Sequence, residues 1–583
     1  MPRSPRSSLD SPRAVAGLVL ALLVSPGCAS AGGGGGERAG GGAGLPVFPS
    51  AATLEALAQQ PAPDAKGDDA RPVQRWEMTG PLPTVLGTTP HETESAVARL
   101  AAEVLGGTPR IRLSAGMQCL AREYGRFQLA HGAGPAPDLE TFLQARCGEP
   151  MSHARVLMRT GAEPGAVELG GPWGAAAKGL VASLPSGKDM TAGIWSGEVD
   201  GRSIMVLAFA ERFVELEPVA MDAGSEGVIE LRGRFLVQAG TAEAFITRGK
   251  YGYETCEPDP KIALPAFRFR CPAAPGEESA IIEMMFSRPR RVLGERAMLG
   301  LVTPGRSAPA EFTSRALAAN DRPIVEQERQ SLVAAINRLR ANHGIGELVV
   351  MEAQSAVTGR VLPQFFAAAS GGAAEVADTI ALGLLAGWEV GGGMVRDADF
   401  AAMNFHGVAT MEQGLETLLM TPAMRTMLLN PKASSIALAS RAYDEGRVIS
   451  ALVTTYRYFG TVDYVASEEA LLDRLDRWRA AVGKPPVIRV GGNSAQPLAA
   501  ARESIKGGRD AGIALNSALR RLVDEVGIDM RGLVLYTSDL NAISFPPDLI
   551  TAPRVQIDLD IDHFQPRGSP WGTFFIVVVY TTN

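Results

Sequence analysis

The sequence predicts an α/β protein made of three related α-β-α units, with a small β-sandwich between the first and second units. Three observations carry this prediction: an amphipathic helix that recurs at a fixed distance, a strand-turn-strand segment that occurs three times, and a stretch without helical periodicity. We expect the units to span roughly residues 85–217, 322–461 and 463–583, and the sandwich to span 218–305. A chain of 583 residues is too long for a single core, so several domains are expected on length alone.

The recurring helix appears in SLVAAINRLRANHGIGEL (residues 331–348) and in ALLDRLDRWRAAVGKPPV (residues 470–487). Both stretches place apolar residues at helical spacing, as in Leu332, Ile336 and Leu339, and both end at a glycine that suits a left-handed cap. Three pairs of positions correspond at one constant offset: Asn337 with Asp476, Arg340 with Arg479, and Gly344 with Gly483. The constant offset indicates a duplicated unit.

The strand-turn-strand segments lie at residues 190–216, 434–459 and 554–582. In the last of them, Phe574 to Tyr580 are apolar at every position, whereas a strand covered on one face alternates apolar and polar residues. This strand is therefore expected to be buried on both faces, in a sheet between two helical layers. A further helix is predicted upstream of the first segment, at residues 114–131.

The stretch between the first two units has a different pattern. Short strand-like runs such as GVIELRGRFLV and SAIIEMMFS alternate with turn residues over residues 218–305, without helical periodicity. This pattern predicts an immunoglobulin-like β-sandwich.

Residues 1–31 have the features of an export signal. Three arginines precede an apolar core that runs from Ala14 to Val24 and is too short to span a bilayer. The Ser-Pro-Gly sequence before Cys28 resembles a bacterial lipobox, which predicts cleavage before Cys28 and lipidation of its thiol. The alternative is ordinary secretion with cleavage at the small residues Ala29-Ser30-Ala31.

The Gly-rich stretch after Cys28 favours the lipoprotein. Residues 32–80 are rich in Gly and Pro, and we expect them to form a disordered tether. The predicted location is the bacterial cell envelope, with the protein held at a membrane through its N-terminal lipid, or else secreted.

Four cysteines remain beyond Cys28, and four cysteines allow three pairings. Pairing within domains is the simplest arrangement and joins Cys119 to Cys147 and Cys256 to Cys271, while four free buried thiols are the alternative. Each bridge would stabilise the fold by about 3 kcal/mol, because it restricts the unfolded chain.

The composition argues against some functions. The formal net charge is −7 and no cluster of Lys and Arg with interleaved aromatic residues occurs, so we do not expect nucleic-acid binding. The Gly-x-Ser-x-Gly motif of α/β-hydrolases and the His-Glu-x-x-His motif of metalloproteases do not occur in the sequence.

Three segments carry a family resemblance. TPAMRTMLLNP (residues 421–431) is similar to the bacterial motif Ser-Pro-Gly-His-Arg-x-x-Leu-Leu-Asn-Pro, with close matches at Thr421, Pro422, Arg425, Leu428, Leu429, Asn430 and Pro431. The family's helix spacing of Asn, Arg, Gly and Leu occurs at Asn337, Arg340, Gly344 and Leu348, and Ser435–Leu438 stands where the family has its closing strand. Residues 322–461 thus resemble the CAP superfamily (cysteine-rich secretory, antigen 5 and pathogenesis-related 1 proteins), and the resemblance implies tandem CAP-like α-β-α units.

The resemblance implies a cleft with two histidines and acidic partners, which hold a divalent cation in some members. Here the motif histidine is Met424, the second-helix histidine position falls near Val361, and the Glu-Asn dipeptide appears as Met403-Asn404. A thioether is a poor ligand for such cations and does not titrate near neutral pH. We therefore expect no catalytic residue, metal or cofactor, and a soft Met-lined groove instead.

The remaining candidates are weaker. His406 follows Asn404 and could act as a displaced ligand, although an ordinary histidine is the simpler interpretation, and His343 is expected to complement a helix dipole. DLDIDH at residues 558–563 makes an alternating acidic stripe that includes His563. It could bind a metal, but the solvated face of an edge strand is the favoured interpretation.

These features favour a non-catalytic binding or scaffold protein of the envelope. Its partner would be an apolar, lipid-like molecule in the groove or another envelope protein. The first alternative is an envelope hydrolase, in which Glu123 or Glu503 of a flanking unit acts as acid or base. The second alternative is a purely structural oligomer.

Overall fold

The computed structural model describes residues 14–15, 48–61, 70–88, 111–161, 188–199, 202–223, 227–273, 279–289, 294–314, 325–370, 373–388, 394–406, 411–443, 448–460, 462–490, 494–526, 530–537, 540, 543–566 and 569–582. Helices and strands are both abundant, so the predicted α/β class is confirmed. The predicted signal apart from Ala14–Val15, the lipidation candidate Cys28, and residues 32–47 of the predicted tether lie outside the described ranges.

The first part of the chain contains an N-terminal segment and unit 1. The N-terminal segment has β1 (Ala14–Val15), α1 (Ala51–Ala58), β2 (Ala70–Arg71), β3 (Arg75–Glu77) and β4 (Val85–Leu86). Unit 1 has β5 (Ile111–Leu113), α2 (Ala115–His131), β6 (Gly134–Pro135), α3 (Pro137–Arg146), β7 (Arg155–Gly161), β8 (Met190–Val199) and β9 (Arg202–Glu211). The predicted helix at residues 114–131 is present as α2, with Ser114 as its N-cap.

A β-domain separates unit 1 from unit 2. It has β10 (Val214–Leu216), β11 (Val219–Ala220), β12 (Val228–Phe235), β13 (Thr241–Arg248), β14 (Gly252–Thr255), β15 (Glu257–Pro258), β16 (Ala266–Pro272), β17 (Ala280–Ser287) and β18 (Gly294–Val302), and β19 (Glu311–Thr313) follows it.

Units 2 and 3 complete the chain. Unit 2 has α4 (Val325–Asn342), β20 (Val349–Val350), α5 (Glu352–Ser370), α6 (Ala374–Ala386), β21 (Val395–His406), α7 (Met411–Leu418), α8 (Pro422–Leu428), β22 (Ser435–Tyr443) and β23 (Val448–Tyr458). Unit 3 has α9 (Tyr464–Ala481), β24 (Ile488–Arg489), α10 (Ala495–Lys506), α11 (Ala511–Val526), β25 (Arg531–Thr537), α12 (Pro547–Thr551), β26 (Val555–Phe564) and β27 (Thr573–Thr582).

The three units share one sheet order. Their strands follow the orders β5-β8-β9-β7, β20-β22-β23-β21 and β24-β26-β27-β25, and β1 adds to the outer edge of β7. In each unit the first two strands of the order are parallel and the other neighbours are antiparallel. The common order extends the sequence repeat to unit 1 at the level of the sheet.

The sheets of units 2 and 3 have helices on both faces, because alternate side chains of a strand point to opposite sides. In unit 2, Ile436 packs with α4, α7 and α8, while Ala437 packs with α5 and α6. In unit 3, Ile576 packs with α9 and α12, while Val577 packs with α10 and α11. Thr573–Tyr580 is at most 7% exposed, so the expected burial of this strand on both faces is confirmed.

Two four-stranded antiparallel sheets form the β-domain, in the orders β10-β12-β16-β15 and β14-β13-β17-β18. Their inner side chains meet in one hydrophobic cluster, with Ile229 and Leu231 from the first sheet and Ile282 and Met284 from the second. The segment predicted to be all-β is therefore all-β in its described residues.

Both expected disulfides are present. Cys119 on α2 pairs with Cys147 at the end of α3, and Cys256 pairs with Cys271 on β16. Two disulfides are typical of a chain that folds in an oxidising compartment.

Two buried arginines explain why the helix repeat keeps its spacing. Arg340 Nε donates to Gly346 O at 2.7 Å, and Arg479 Nε donates to Pro485 O at 2.7 Å, so the acceptors are offset along the chain by the same amount as the arginines. Their Nη1 atoms donate to backbone carbonyls that precede the third strand of each unit (β22 and β26), at 2.8 Å and 2.6 Å. Each arginine therefore joins the end of the first helix of its unit to the short helix before the third strand.

The tether predicted over residues 32–80 does not extend that far. Residues 48–61 contain α1, which begins at the capping residue Ser50 and packs its buried Leu54 against α5 and α6. In residues 70–80, β2 pairs with β6 and β3 pairs with β19. Helix α1 could not be predicted from sequence periodicity, because the stability of so short a helix comes mainly from packing against other helices.

Candidate functional site

The three positions at which the resemblance places the CAP cleft residues do not line one groove. Met403 on β21 and Met424 on α8 belong to the same hydrophobic cluster, and each is 1% exposed. Val361 on α5 is fully buried in the cluster on the opposite face of the same sheet. The sheet therefore separates Val361 from the two methionines, and the expected shared groove is absent at these positions.

Side chains of the β-domain fill the space around the methionines. Phe245 on β13 and Met285 on β17 belong to the cluster that contains Met424. Tyr251 and Tyr253, from the hairpin of β13 and β14, pack against this cluster from its rim. The position at which the resemblance expects a reactive histidine thus lies in a core that two domains share.

A buried carboxylate caps the helix that carries Met424. Glu283 Oε2 on β17 accepts a hydrogen bond from the Ala423 amide at 2.8 Å, and Glu283 Oε1 accepts from Arg296 Nε at 2.6 Å. The Ala423 amide lies in the first turn of α8, where an amide has no partner within the helix. The β-domain therefore supplies the hydrogen-bond acceptor for an amide in the first turn of α8.

Arg425, which the resemblance counts among the motif residues, connects α8 to the same domain. Its Nε donates to Leu419 O at 2.5 Å, and its Nη1 donates to Gly252 O at 2.5 Å and to Gly249 O at 3.3 Å. Nearby, Tyr251 Oη donates to a Glu416 carboxylate oxygen. The guanidinium thus holds the β13–β14 hairpin against unit 2.

A small cavity of about 20 Å³ lies where unit 1, the β-domain and unit 2 meet. Most of the residues that line it are of polar types: Glu140, Thr141, Gln144, His153, Arg296, Thr417, Leu418, Thr421 and Met424. Such a volume holds about one water molecule and no acyl chain, since one water needs roughly 10–15 Å³ on the same measure.

An ion network on β21 and β23 was not predicted from the sequence. Arg457 binds Asp397 and Asp399, all three are buried, and Arg396 Nε reaches Asp397 at 3.1 Å. Burial alone would lower the pKa of the Arg457 guanidinium, but the two carboxylates outweigh it and raise that pKa. The alternation of Asp397 and Asp399 along one strand was the only sequence signal, because their arginine comes two strands later in the chain.

The DLDIDH stripe is not a solvated face. Asp560 accepts from Arg502 Nη1 at 3.0 Å, Asp562 accepts from Lys506 Nζ at 2.8 Å, and Asp558 accepts from Ser494 Oγ. The three donors lie on α10 or at its N-terminus, so the carboxylates join β26 to this helix. This corrects the edge-strand interpretation. Helix α10 supplies the opposite charges, and the local sequence around the stripe does not indicate this contact.

One carboxyl group near this stripe is clearly perturbed. Burial, with further contributions from Asp560 and Asp558, raises the pKa of Glu468 to about 7. His563 stacks on Phe459 with ring centroids 4.7 Å apart, and its Nδ1 contacts Tyr464 Oη. Burial lowers the pKa of His563, which keeps this imidazole neutral near physiological pH.

The two glutamates that the sequence offered as a catalytic acid or base are either hydrogen-bonded to other side chains or exposed to solvent. Glu123 is fully buried and accepts from Trp76 Nε1, Arg122 Nε and Arg126 Nη1. Glu503 is exposed beside Arg502, at 3.3 Å. Glu123 is therefore buried but bound by three donors, and Glu503 is solvated.

The histidines of unit 2 form no ligand set that the structure describes. His343 lies edge-on to Tyr251, with ring centroids 6.2 Å apart. The backbone of Asn404 and His406 belongs to β21, and their side chains are outside the described part. Within the described ranges, no three His, Cys, Asp or Glu side chains converge as a metal site would require.

Comparison of the chain with protein-family models and with curated proteins finds no match. No helix in the described part of the chain is both long and apolar enough to cross a membrane.

Proposed function

We propose that the protein is an exported, lipid-anchored component of the bacterial cell envelope that acts as a non-catalytic binding or scaffold module. In this proposal tandem CAP-like α-β-α units and an immunoglobulin-like β-sandwich form one connected body. The observation that carries the proposal is the packing of Met424, which is a core side chain between unit 2 and the β-domain.

Burial of this position supports a non-catalytic role. A side chain that is 1% exposed cannot reach a substrate, and a thioether cannot take up a proton near neutral pH. Glu283 and Arg425 hold the β-domain over the position with hydrogen bonds, so opening it would cost several buried contacts.

The same packing favours a protein partner over an apolar small molecule. Met424 borders a cavity of about 20 Å³, which is too small for a lipid-like ligand. The Met-lined groove expected from the sequence is instead occupied by Phe245 and Met285. We therefore propose that recognition uses the outer surfaces of the units.

The N-terminal segment supports a specific attachment. The Phe48 ring packs at a tilt against Trp571 of unit 3, with ring centroids 4.7 Å apart, and Trp388 Nε1 of unit 2 donates to Pro49 O at 2.7 Å. A lipid on Cys28 would therefore hold the protein through units 2 and 3, although unit 1 comes first in sequence. Cys28→Ser should release the protein from the membrane fraction, whereas ordinary secretion predicts no change.

A calorimetric zinc titration of the purified full chain tests the non-catalytic proposal. We expect no stoichiometric binding in the wild type. Tight one-to-one binding that is lost on substitution of Met403 or Met424 would contradict the proposal, because it would require an open, ligand-bearing cleft.

The hydrolase alternative has less support. Glu123 is committed to three side-chain donors, and Glu503 lies in solvent. Absence of turnover on peptide and glycan panels is the outcome we expect.

A further inference from the structure

The connection between β15 and β16 of the β-domain exposes an apolar tip. Residues 260–265 have the sequence Pro-Lys-Ile-Ala-Leu-Pro, and all six are exposed although five of them are apolar. Ile262 is 37% exposed and Leu264 is 36% exposed. Neither side chain belongs to a hydrophobic cluster in the part of the chain that the structure describes. We call residues 260–265 the apolar loop, and its side chains have no role in a core.

Hydrogen bonds at both ends hold the apolar loop in this conformation. Asp259 Oδ1 accepts from the Lys261 amide at 2.9 Å, and Asp259 O accepts from the Ile262 amide at 3.1 Å, which closes a tight turn. At the other end, Pro265 O accepts from the Phe235 amide of β12 at 2.8 Å. The β-domain therefore holds the exposed aliphatic side chains in a fixed arrangement.

The apolar loop belongs to the sheet of the β-domain that does not pack on the neighbouring units. The other sheet supplies the apolar contacts, with Ile281 and Leu301 packed against unit 1 and Phe245 packed against unit 2. Strands β15 and β16 belong to the opposite sheet of the sandwich. The loop is thus accessible to a large partner while the domains stay packed together. Contiguous exposed apolar residues of this kind are typical of interaction sites.

The charges of the apolar loop suit an anionic surface. Lys261 lies at the exposed tip, and it is the only charged residue of the loop. The carboxylate at the base of the loop, Asp259, accepts from Arg268 Nη1 at 3.3 Å. Arg234 of β12 pairs with Glu215 at 2.6 Å, so these two charges offset each other. The charge at the tip is therefore positive, in a chain whose formal net charge is −7.

We propose that the apolar loop inserts into the surface of a phospholipid bilayer with anionic headgroups. Ile262 and Leu264 reach the boundary between headgroups and acyl chains, and Lys261 binds headgroup phosphates. The size of the loop favours a bilayer over a protein. A stable protein interface uses about 20–30 residues a side, whereas a bilayer surface accepts a small exposed tip.

This inference goes beyond the proposed function. The role of the loop as a second membrane contact rests on the proposed anchor, but its test does not use the lipid. Two aliphatic side chains bury less apolar area than one acyl chain, and a single acyl chain alone gives only marginal membrane binding. The loop therefore orients a chain that the lipid already holds, and it does not retain the protein at the membrane after Cys28→Ser.

A fluorescent probe on the loop tests the proposal. Cys28→Ser leaves no thiol outside the two disulfides, so Ile262→Cys in the full chain can be labelled with a nitrobenzoxadiazole dye at one site. On vesicles of phosphatidylglycerol and phosphatidylethanolamine we expect a blue shift and at least about a twofold rise in emission. The matched control is Val465→Cys on α9, which is 67% exposed and should show neither change. No change at the loop, or an equal change at both sites, would overturn the proposal.

Two further substitutions separate the apolar and the charged contributions to vesicle binding. In the chain labelled at Ile262→Cys, Leu264→Asp should weaken binding at least about fivefold, because a carboxylate resists transfer out of water. Lys261→Glu should weaken binding to the anionic vesicles and leave the weaker binding to phosphatidylcholine vesicles unchanged. Vesicle binding that tolerates Leu264→Asp would contradict insertion of the loop, whether or not Cys28 carries a lipid.

Discussion

Met424 and Arg425 are neighbours in the chain and stabilise the same contact in different ways. Met424 adds apolar area to a cluster that crosses from unit 2 to the β-domain, while Arg425 donates to carbonyls on both sides. Arg425 thus holds unit 2 and the β-domain together through hydrogen bonds, although the neighbouring Met424 cannot ionise. The α8 segment that carries both residues thus works here as an interdomain contact.

We predict that Met424→His destabilises the protein by about 1–3 kcal/mol, because a buried imidazole loses its hydration. The control Met424→Leu conserves volume and should cost less than about 1.5 kcal/mol. Denaturant unfolding of both variants measures the difference. Full stability of Met424→His together with stoichiometric zinc binding would mean that the position opens to a cleft.

Glu468 makes the stability of unit 3 depend on pH. Because burial raises its pKa to about 7, the folded state keeps a proton that the unfolded state releases near its ordinary pKa of about 4.3. The stabilisation is complete below that lower pKa and is lost as the pH rises through about 7. Charging this group therefore weakens unit 3 at neutral and alkaline pH.

Glu468→Gln should accordingly raise the free energy of unfolding of unit 3 above neutral pH by roughly 1 kcal/mol after solvent screening, and flatten its pH dependence. Hydrogen exchange of unit 3 at several pH values measures this. Glu469→Gln, at the exposed neighbouring position, is the control. Identical pH profiles for wild type and Glu468→Gln would refute the assignment.

At the scale of elements, the sequence separation between packing partners determined which features could be predicted from the sequence. Helix α2 and the buried strand from Phe574 to Tyr580 were predictable, because periodicity and capping are local properties. Helix α1 was missed because its stability comes from α5 and α6, which follow only after unit 1 and the β-domain. The partners of Asp560 and of the Ala423 amide were missed for the same reason: Arg502 and Glu283 approach only in the folded chain.

Gly383 on α6 tests the docking of α1. A Cβ at this position would lie 2.4 Å from Leu54 Cδ2, so Gly383→Ala should displace α1 and increase protease cleavage within residues 48–61. The matched control is Gly359→Ala on α5, where the nearest atom would be 3.6 Å away. The control should stabilise its helix by about 0.5–1 kcal/mol. Equal protection of residues 48–61 in both variants would argue against the docked helix.

The arginines of the helix repeat should be equally important in units 2 and 3. Arg340→Lys and Arg479→Lys each replace a forked donor by a point charge, and we expect each to lower the stability of its own unit by about 2–3 kcal/mol. Hydrogen exchange resolves which unit loses protection. The exposed Arg477→Lys serves as the control and should change stability little. If only one of the two substitutions lowered the stability of its unit, the two arginines would not contribute equally to the stability of the repeated units.

At the scale of the molecule, neighbouring domains share cores. Ile281 and Leu301 of the β-domain pack with unit 1, and Phe245 packs with unit 2. Trp571 of unit 3 lies in a core of unit 2 and donates from Nε1 to Leu385 O at 2.8 Å. The four domains therefore form one connected body, and Met424 lies in a buried contact between two of them.

Methionine oxidation tests this central claim most directly. In the folded wild-type chain we expect Met403 and Met424 to oxidise only as fast as the protein unfolds, while the half-buried Met351 reacts earlier. Arg425→Ala, which removes the hydrogen bonds to the β-domain, should accelerate oxidation of Met424. Oxidation of Met424 in the folded wild type as fast as Met351 would contradict the claim, because it would mean that the position faces solvent.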